Sequence, residues 1–205
     1  MARRKDMALN GSRLNDLIGS RICHDLISPL GAIGNGVELL TMSGTSTAPE
    51  ISLIAESVEN ANARIRFFRI AFGAASGLSQ IGNAEVRSVL ADLYRGNRIR
   101  VDWRITEDTL RIEAKLAFLV IQCFESAMPW GGKVAVTRNG DDWNIYGSAD
   151  RMKIEPELWN LATDPSKGND IAASNVHFAL LSPTSEAANC KIKTATNGNS
   201  ISVSF

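Results

Sequence analysis

The sequence is short of most of the features that would give a chain an immediate role. Its three cysteines, Cys23, Cys123 and Cys190, stand far apart and are odd in number, so they form neither a complete disulfide framework nor a C-x-x-C metal or redox pair. Reduced, mostly buried thiols are expected. Charge of one sign is not in excess: Lys plus Arg and Asp plus Glu both number 22, which gives no net field toward nucleic acid or an anionic membrane surface. No apolar run approaches the roughly 20 residues needed to cross a bilayer, and no signal-peptide core follows Met1-Ala-Arg-Arg-Lys-Asp6. A cytoplasmic protein without a membrane or nucleic-acid partner is expected. Repeats and low-complexity tracts are absent as well. Histidine is rare, with only His24 and His177, and together with the scattered cysteines they lack the spacing of a metal site.

What is present begins with two helical patterns. Leu26, Leu30, Ile33, Val37 and Leu40 recur at steps of three and four within a run from about Leu14 to Thr41, a stripe that should be buried. Ile51, Ile54, Val58, Ala61, Ile65, Phe68 and Phe72 continue the same alternation as a bundle seam. Between them Ser43-Gly-Thr-Ser-Thr-Ala-Pro49 combines breakers with cap candidates, Ser46 or Thr47 before the helix and Pro49 in its first turn. The two helices should therefore fold back antiparallel. A hairpin alone cannot cover both seams, so a homodimer closing a four-helix bundle is the economical solution.

After a Gly/Ala/Ser-rich connector around Gly73 to Gly82 the pattern changes. Asn83 to Tyr94 and Ile112 to Met128 read as helices, and Arg98 to Ile105 alternates like a strand. Asn139-Gly140 and Asn197-Gly198 each separate two strand-like runs and signal β-hairpins. These hairpins bracket a helical stretch from about Glu155 to Asn189. The fold class is α+β: an antiparallel hairpin over residues 1–78, then over residues 79–205 a mostly antiparallel sheet with helices on one face.

His24 is the candidate for chemistry, although from position alone it reads more readily as a surface histidine of no consequence. It stands two residues before Leu26 of the buried stripe, an offset of roughly 200° around the helix, so the ring should face solvent. A neutral imidazole nitrogen is a competent nucleophile toward phosphorus. Pro29 costs a helix interior about 3 kcal/mol, and Gly31, Gly34 and Gly36 follow it at about 1 kcal/mol each relative to alanine. Ser28, Gly31 and Asn35 share the face of His24 and form a side-chain-poor strip. From spacing alone it serves equally as a landing place for a partner helix or as packing against the hairpin's own second helix. On that second helix, Arg64, Arg66 and Arg69 should lie level with His24 if the chain turns near residue 45, because both helices rise about 1.5 Å per residue. There Arg64 or Arg66 can offset phosphoryl charge or grip an acidic partner, or simply flank the seam as solvated cations. His177, among Val176, Phe178, Leu180 and Leu181, reads as a packed structural histidine.

The stretch His24-Asp25-Leu26-Ile27-Ser28-Pro29-Leu30, followed by Ile33 and Glu38-Leu-Leu40, resembles the phosphoacceptor box of sensor histidine kinases. The fuller string from Arg21 to Ile33, with its His-Asp and Ser-Pro pairs, is similar to the histidine phosphotransferases of the alphaproteobacteria. That resemblance implies a phosphohistidine at His24, a supporting role for Asp25 and a bend at Pro29. It implies a C-terminal α/β sandwich resembling a degenerate kinase ATP-binding domain. Kinases need an asparagine on one helix, an Asp-x-Gly-x-Gly loop and a glycine-rich lid. Here Ile121-Gln-Cys-Phe-Glu-Ser-Ala127 places Ser126 at the asparagine position, and Tyr146-Gly-Ser-Ala-Asp-Arg-Met152 has an aspartate without the glycine pair. No Gly-x-Gly lid is seen near Gly168 to Ala173. The implied activity is phosphotransfer between the receiver domains of a hybrid histidine kinase and of response regulators. No cofactor would be bound stably, and Mg²⁺ would be brought by the receiver. Two other readings remain open at this point, a divergent ATP-dependent kinase and a silent dimeric adaptor that inhibits a kinase.

Overall fold

The computed structural model describes residues 11–43, 48–75, 78–164 and 171–205. Two long helices open the chain, α1 over Gly11–Ser43 and α2 over Ala48–Ala71. They pack antiparallel, as the approach of Arg64 to Asp25 shows. α1 runs through Pro29, and Pro49 lies in the first turn of α2, where its missing N–H costs nothing. The cap candidates Ser46 and Thr47 lie outside the described residues.

The remaining elements are β1 (Gln80–Ile81), α3 (Asn83–Tyr94), β2 (Ile99–Trp103), β3 (Thr109–Leu110), α4 (Arg111–Ala127), β4 (Gly132–Asn139), β5 (Asp142–Ser148), α5 (Pro156–Thr163), a 3₁₀ turn at Ala173–Asn175, α6 (Val176–Ala187), β6 (Lys193–Asn197) and β7 (Ser200–Ser204). Five strands form one sheet in the order β2-β4-β5-β7-β6. Only β2 and β4 pair in parallel, because α4 crosses over between them; the other neighbours are antiparallel. β1 and β3 make a separate two-stranded ladder.

Both hairpins turn one residue later than their Asn-Gly signal. Asn139 pairs with Asp142 and Asn197 with Ser200, so the two central residues are Gly140-Asp141 and Gly198-Asn199. Each glycine takes positive φ, +61° and +50°, and the residue after it does not. That is the pattern of a type II′ turn, in which only the first central position demands left-handed backbone.

The core lies between the inner face of this sheet and the helices. Val134, Val136, Trp143, Ile145, Ile201 and Val203 alternate inward from three strands. Against them lies α4, whose Leu116 to Ile121 are fully buried, as a helix that is apolar all round must be. Its other sides meet α6 and α2. The end of α2 is part of the same core: Phe67, Phe68, Ile70 and Ala71 are buried with it, and Phe67 sits 4.8 Å from the ring of Phe118.

The first helical stripe, expected to be buried, is only partly so within one chain: Leu26, Ile33 and Leu40 are half-buried and the other two members are exposed. Leu30 is 58% exposed and Val37 49%, while on α2 Ile51, Val58 and Ile65 also reach solvent. A lone hairpin has nothing to place over these residues. The cysteines also depart from expectation in one case: Cys123 is buried and Cys190 half-buried, but Cys23 is exposed, since it neighbours His24 on the outer side of α1. Among the described residues no helix is long and apolar enough to cross a membrane.

Candidate phosphoacceptor site

His24 projects from the outer face of α1 with its side chain 84% exposed. The helical offset from the half-buried Leu26 accounts for this, because two residues along the helix turn the ring about 200° away from it. Its Nδ1 lies 3.1 Å from Oδ1 of Asp25. A carboxylate only accepts, so in the neutral ring this contact favours the tautomer with its proton on Nδ1, in which Nε2 carries the free lone pair.

Asp25 is held firmly. Its side chain is only 10% exposed, Nε of Arg21 donates to its Oδ2 at 2.9 Å, and a guanidinium nitrogen of Arg64 stands 3.9 Å from the same oxygen. Arg21 also donates to the carbonyl of Ser174 in the 3₁₀ turn. One guanidinium thus ties the acidic neighbour of His24 to the C-terminal unit. Glu125, near the end of α4, lies beside the same group. Burial raises its carboxyl above the usual range, against the pull of Tyr94, Arg21 and Arg64.

The strip beside His24 is open. Ser28, Gly31 and Asn35 are exposed, and a Cβ built at Gly31 or Gly34 would meet nothing within 4 Å. Packing against the hairpin's own second helix is therefore not what these two glycines serve, although Gly36 does turn inward and is buried. Of the three arginines on α2, only Arg64 reaches the site. Arg66 is turned to α3, where it donates to Asp92 at 2.6 Å and to Ser88 at 3.1 Å, and Arg69 pairs with Glu85. The level of these residues along the hairpin was correct; the helical phase sends Arg66 about 200° away from Arg64.

Arg21 and Glu125 were missed from the sequence. Arg21 had a local signal, an i,i+4 spacing to Asp25 that pairs opposite charges on one helix face. Glu125 had none, since only the packing of α4 beneath the hairpin brings it there.

The positions aligned with the kinase nucleotide site do not converge. The Ser126 hydroxyl lies 3.1 Å from Nε2 of His177 and 3.3 Å from the carbonyl of Gln122. It lines a cleft of about 280 Å³ between α4, α5 and α6, where Lys153 is paired with Glu155. Asp150 lines a different depression. Of the lid region, residues 168–170 lie outside the described residues. No cluster of three or more His, Cys, Asp or Glu suited to a metal ion occurs among the described residues. His177 is the packed histidine expected: fully buried, with its pKa lowered to about 3 by burial and by Arg21.

An exposed imidazole backed by a carboxylate, on the outer helix of a hairpin joined to an α/β unit, is the arrangement of a histidine-based phosphotransferase. Comparison with known proteins gives the same class. The family model described as the histidine phosphotransferase C-terminal domain matches residues 83–200. A solved structure described as a bacterial phosphotransferase superposes with a TM-score of 0.80 at 30% identity, over 96% of this chain and 97% of that one. The protein phosphotransferase ChpT of Brucella abortus (strain 2308) is 33% identical over 194 residues, 91% of each chain. This chain belongs to the histidine phosphotransferase family, and its function is phosphotransfer in a two-component phosphorelay, which neither the kinase nor the adaptor reading explains as well.

Proposed function

We propose that His24 is the phosphoacceptor, taking a phosphoryl group from the aspartyl phosphate of a receiver domain in a hybrid kinase and passing it to the aspartate of a response regulator. The observation that carries this reading is the 84% exposed ring whose Nδ1 is engaged by Asp25. Nε2 is then the attacking atom. As the Nε2–P bond forms, the acyl phosphate O–P bond breaks and the receiver's aspartate leaves as a carboxylate. The ring keeps its Nδ1 proton and becomes cationic, and the Asp25 carboxylate 3.1 Å away balances that charge. Asp25 therefore orients and stabilises the ring, and needs to remove no proton before attack. The return step is the same displacement in reverse.

In-line phosphoryl transfer depends on alignment and charge neutralisation more than on elaborate acid-base groups. A small site suffices here, with Mg²⁺ brought in the receiver's acidic pocket. Ser28, Gly31 and Asn35 supply a low strip on which a receiver helix can settle beside the ring. Arg64, partly exposed and next to Asp25, attracts the acidic receiver and the phosphoryl oxygens.

The working unit in this proposal is a homodimer acting in the cytoplasm. Leu30, Val37, Ile51, Val58 and Ile65 leave each chain with an apolar surface along the hairpin, and burial in a four-helix bundle covers it. No nucleotide is used: Ser126 is committed to His177, and Asp150 lines a separate depression.

The test is transfer from a purified, phosphorylated receiver domain. Label should appear in an acid-labile, base-stable form on the wild-type chain and be absent from His24→Ala. Titration with a fluorescent ATP analogue and Mg²⁺ should show no saturable binding, and tight Mg²⁺-dependent binding would restore the kinase reading.

A further inference from the structure

Across the sheet from the helices lies a second surface, which phosphotransfer does not use. Arg100, Lys133 and Tyr146 alternate with buried neighbours on β2, β4 and β5 and so point to the outer face. With Arg98, Trp130 and Arg151 they line an open depression of about 810 Å³. Several exposed arginines elsewhere pair with carboxylates, as Arg69 does with Glu85, Arg95 with Asp92 and Arg104 with Asp102. Among the described residues, Arg98, Arg100 and Lys133 have no such partner, and Asp150 is the one carboxylate lining the depression.

Two features point to an occupant. Arg100 and Lys133 are directly opposite in the β2–β4 register, a like-charge cross-strand pair that costs stability unless something neutralises it. Trp130 and Tyr146 are 50% and 49% exposed, with the Arg151 guanidinium 3.8 Å from the centre of the Trp130 ring. Trp, Tyr and Arg together form the composition of a protein-binding hot spot. Small-molecule sites enclose most of their ligand, whereas this depression is open to solvent along its length. The zero net charge of the chain conceals this local excess of four cations over one carboxylate.

We propose that this outer sheet face is a docking surface for an acidic segment of a partner protein, distinct from the surface around His24. Carboxylates of that segment would lie against Arg98, Arg100 and Lys133, with an apolar or aromatic side chain on Trp130 and Tyr146. The other tryptophans, Trp103, Trp143 and Trp159, are buried, so Trp130 is a built-in reporter.

A fluorescein-labelled peptide rich in aspartate and glutamate, with single leucines, is titrated by anisotropy against the full chain. Acrylamide quenching of the tryptophan signal is followed in parallel with the unlabelled peptide. The expected result is saturable binding that shields Trp130 and weakens about tenfold between about 50 and 300 mM salt. The triple variant R98E/R100E/K133E should lose at least about tenfold in affinity, and the milder R98Q/R100Q/K133Q serves if charge reversal disturbs folding. K191E/K193E, at the opposite end of the sheet, and His24→Ala should bind as wild type. Binding that survives the triple changes, or that leaves Trp130 unshielded, would overturn the proposal. So would Trp130 shielding by ATP and not by the peptide. None of these outcomes bears on phosphotransfer at His24, so the two readings fail separately.

Discussion

The hairpin and the C-terminal unit handle apolar surface in opposite ways. In the C-terminal unit every large apolar side chain of α4 from Leu116 to Phe124 is fully buried between the sheet, α6 and the end of α2. In the hairpin, Leu30, Val37, Ile51, Val58 and Ile65 remain at least 40% exposed. The first region is complete within one chain, and the second presents both an uncovered seam and an exposed nucleophile. An amphipathic stripe specifies which face requires cover but not whether the cover is the same chain or another copy.

The largest effect expected from breaking this contrast is in the core. Phe118→Ala, at the contact between α2 and the sheet, should cost about 3–5 kcal/mol, measured by chemical denaturation. Ile65→Glu combined with Leu30→Glu should lower the stability of the C-terminal unit little but convert a dimer to monomers, read by sedimentation or light scattering; a wild-type chain that is already monomeric would remove the bundle from the account.

A pH titration sharpens the comparison further. The His177 pKa of about 3 in the fold lies below its ordinary value near 6.5, so the unfolded chain binds a proton that the folded chain refuses. Its contribution is fully present above pH 6.5 and is lost as pH falls toward 3, at about 1.4 kcal/mol per pH unit for one proton. Denaturation midpoints between pH 7 and pH 4 should show this slope, and His177→Gln should flatten it. Smallest of all, Arg66→Ala should change stability by no more than about 1 kcal/mol and leave phosphotransfer intact. Arg64→Ala should slow transfer several-fold without altering the fold.

Much of the architecture was legible because its signals are local. The spacing in α1 and α3, the alternation in β2 and the two Asn-Gly signals all correspond to elements, although each turn falls one residue later than its dipeptide. The outward ring of His24 followed from its phase against Leu26. What was not legible depends on contacts between distant segments: Arg66 committed to Asp92, Arg21 reaching Ser174, and Glu125 brought beneath Asp25. The unpaired cations of the outer sheet face were hidden for another reason, since a whole-chain charge sum erases any local imbalance.

The central claim is that the exposed Nε2 of His24 accepts the phosphoryl group. Its most direct test is to incubate the purified chain with a receiver domain phosphorylated by a labelled donor, isolate the labelled peptide and locate the modification by mass spectrometry. The account predicts a single phosphohistidine at His24 bonded through Nε2. Label on any other residue, or undiminished labelling of His24→Ala, would contradict it.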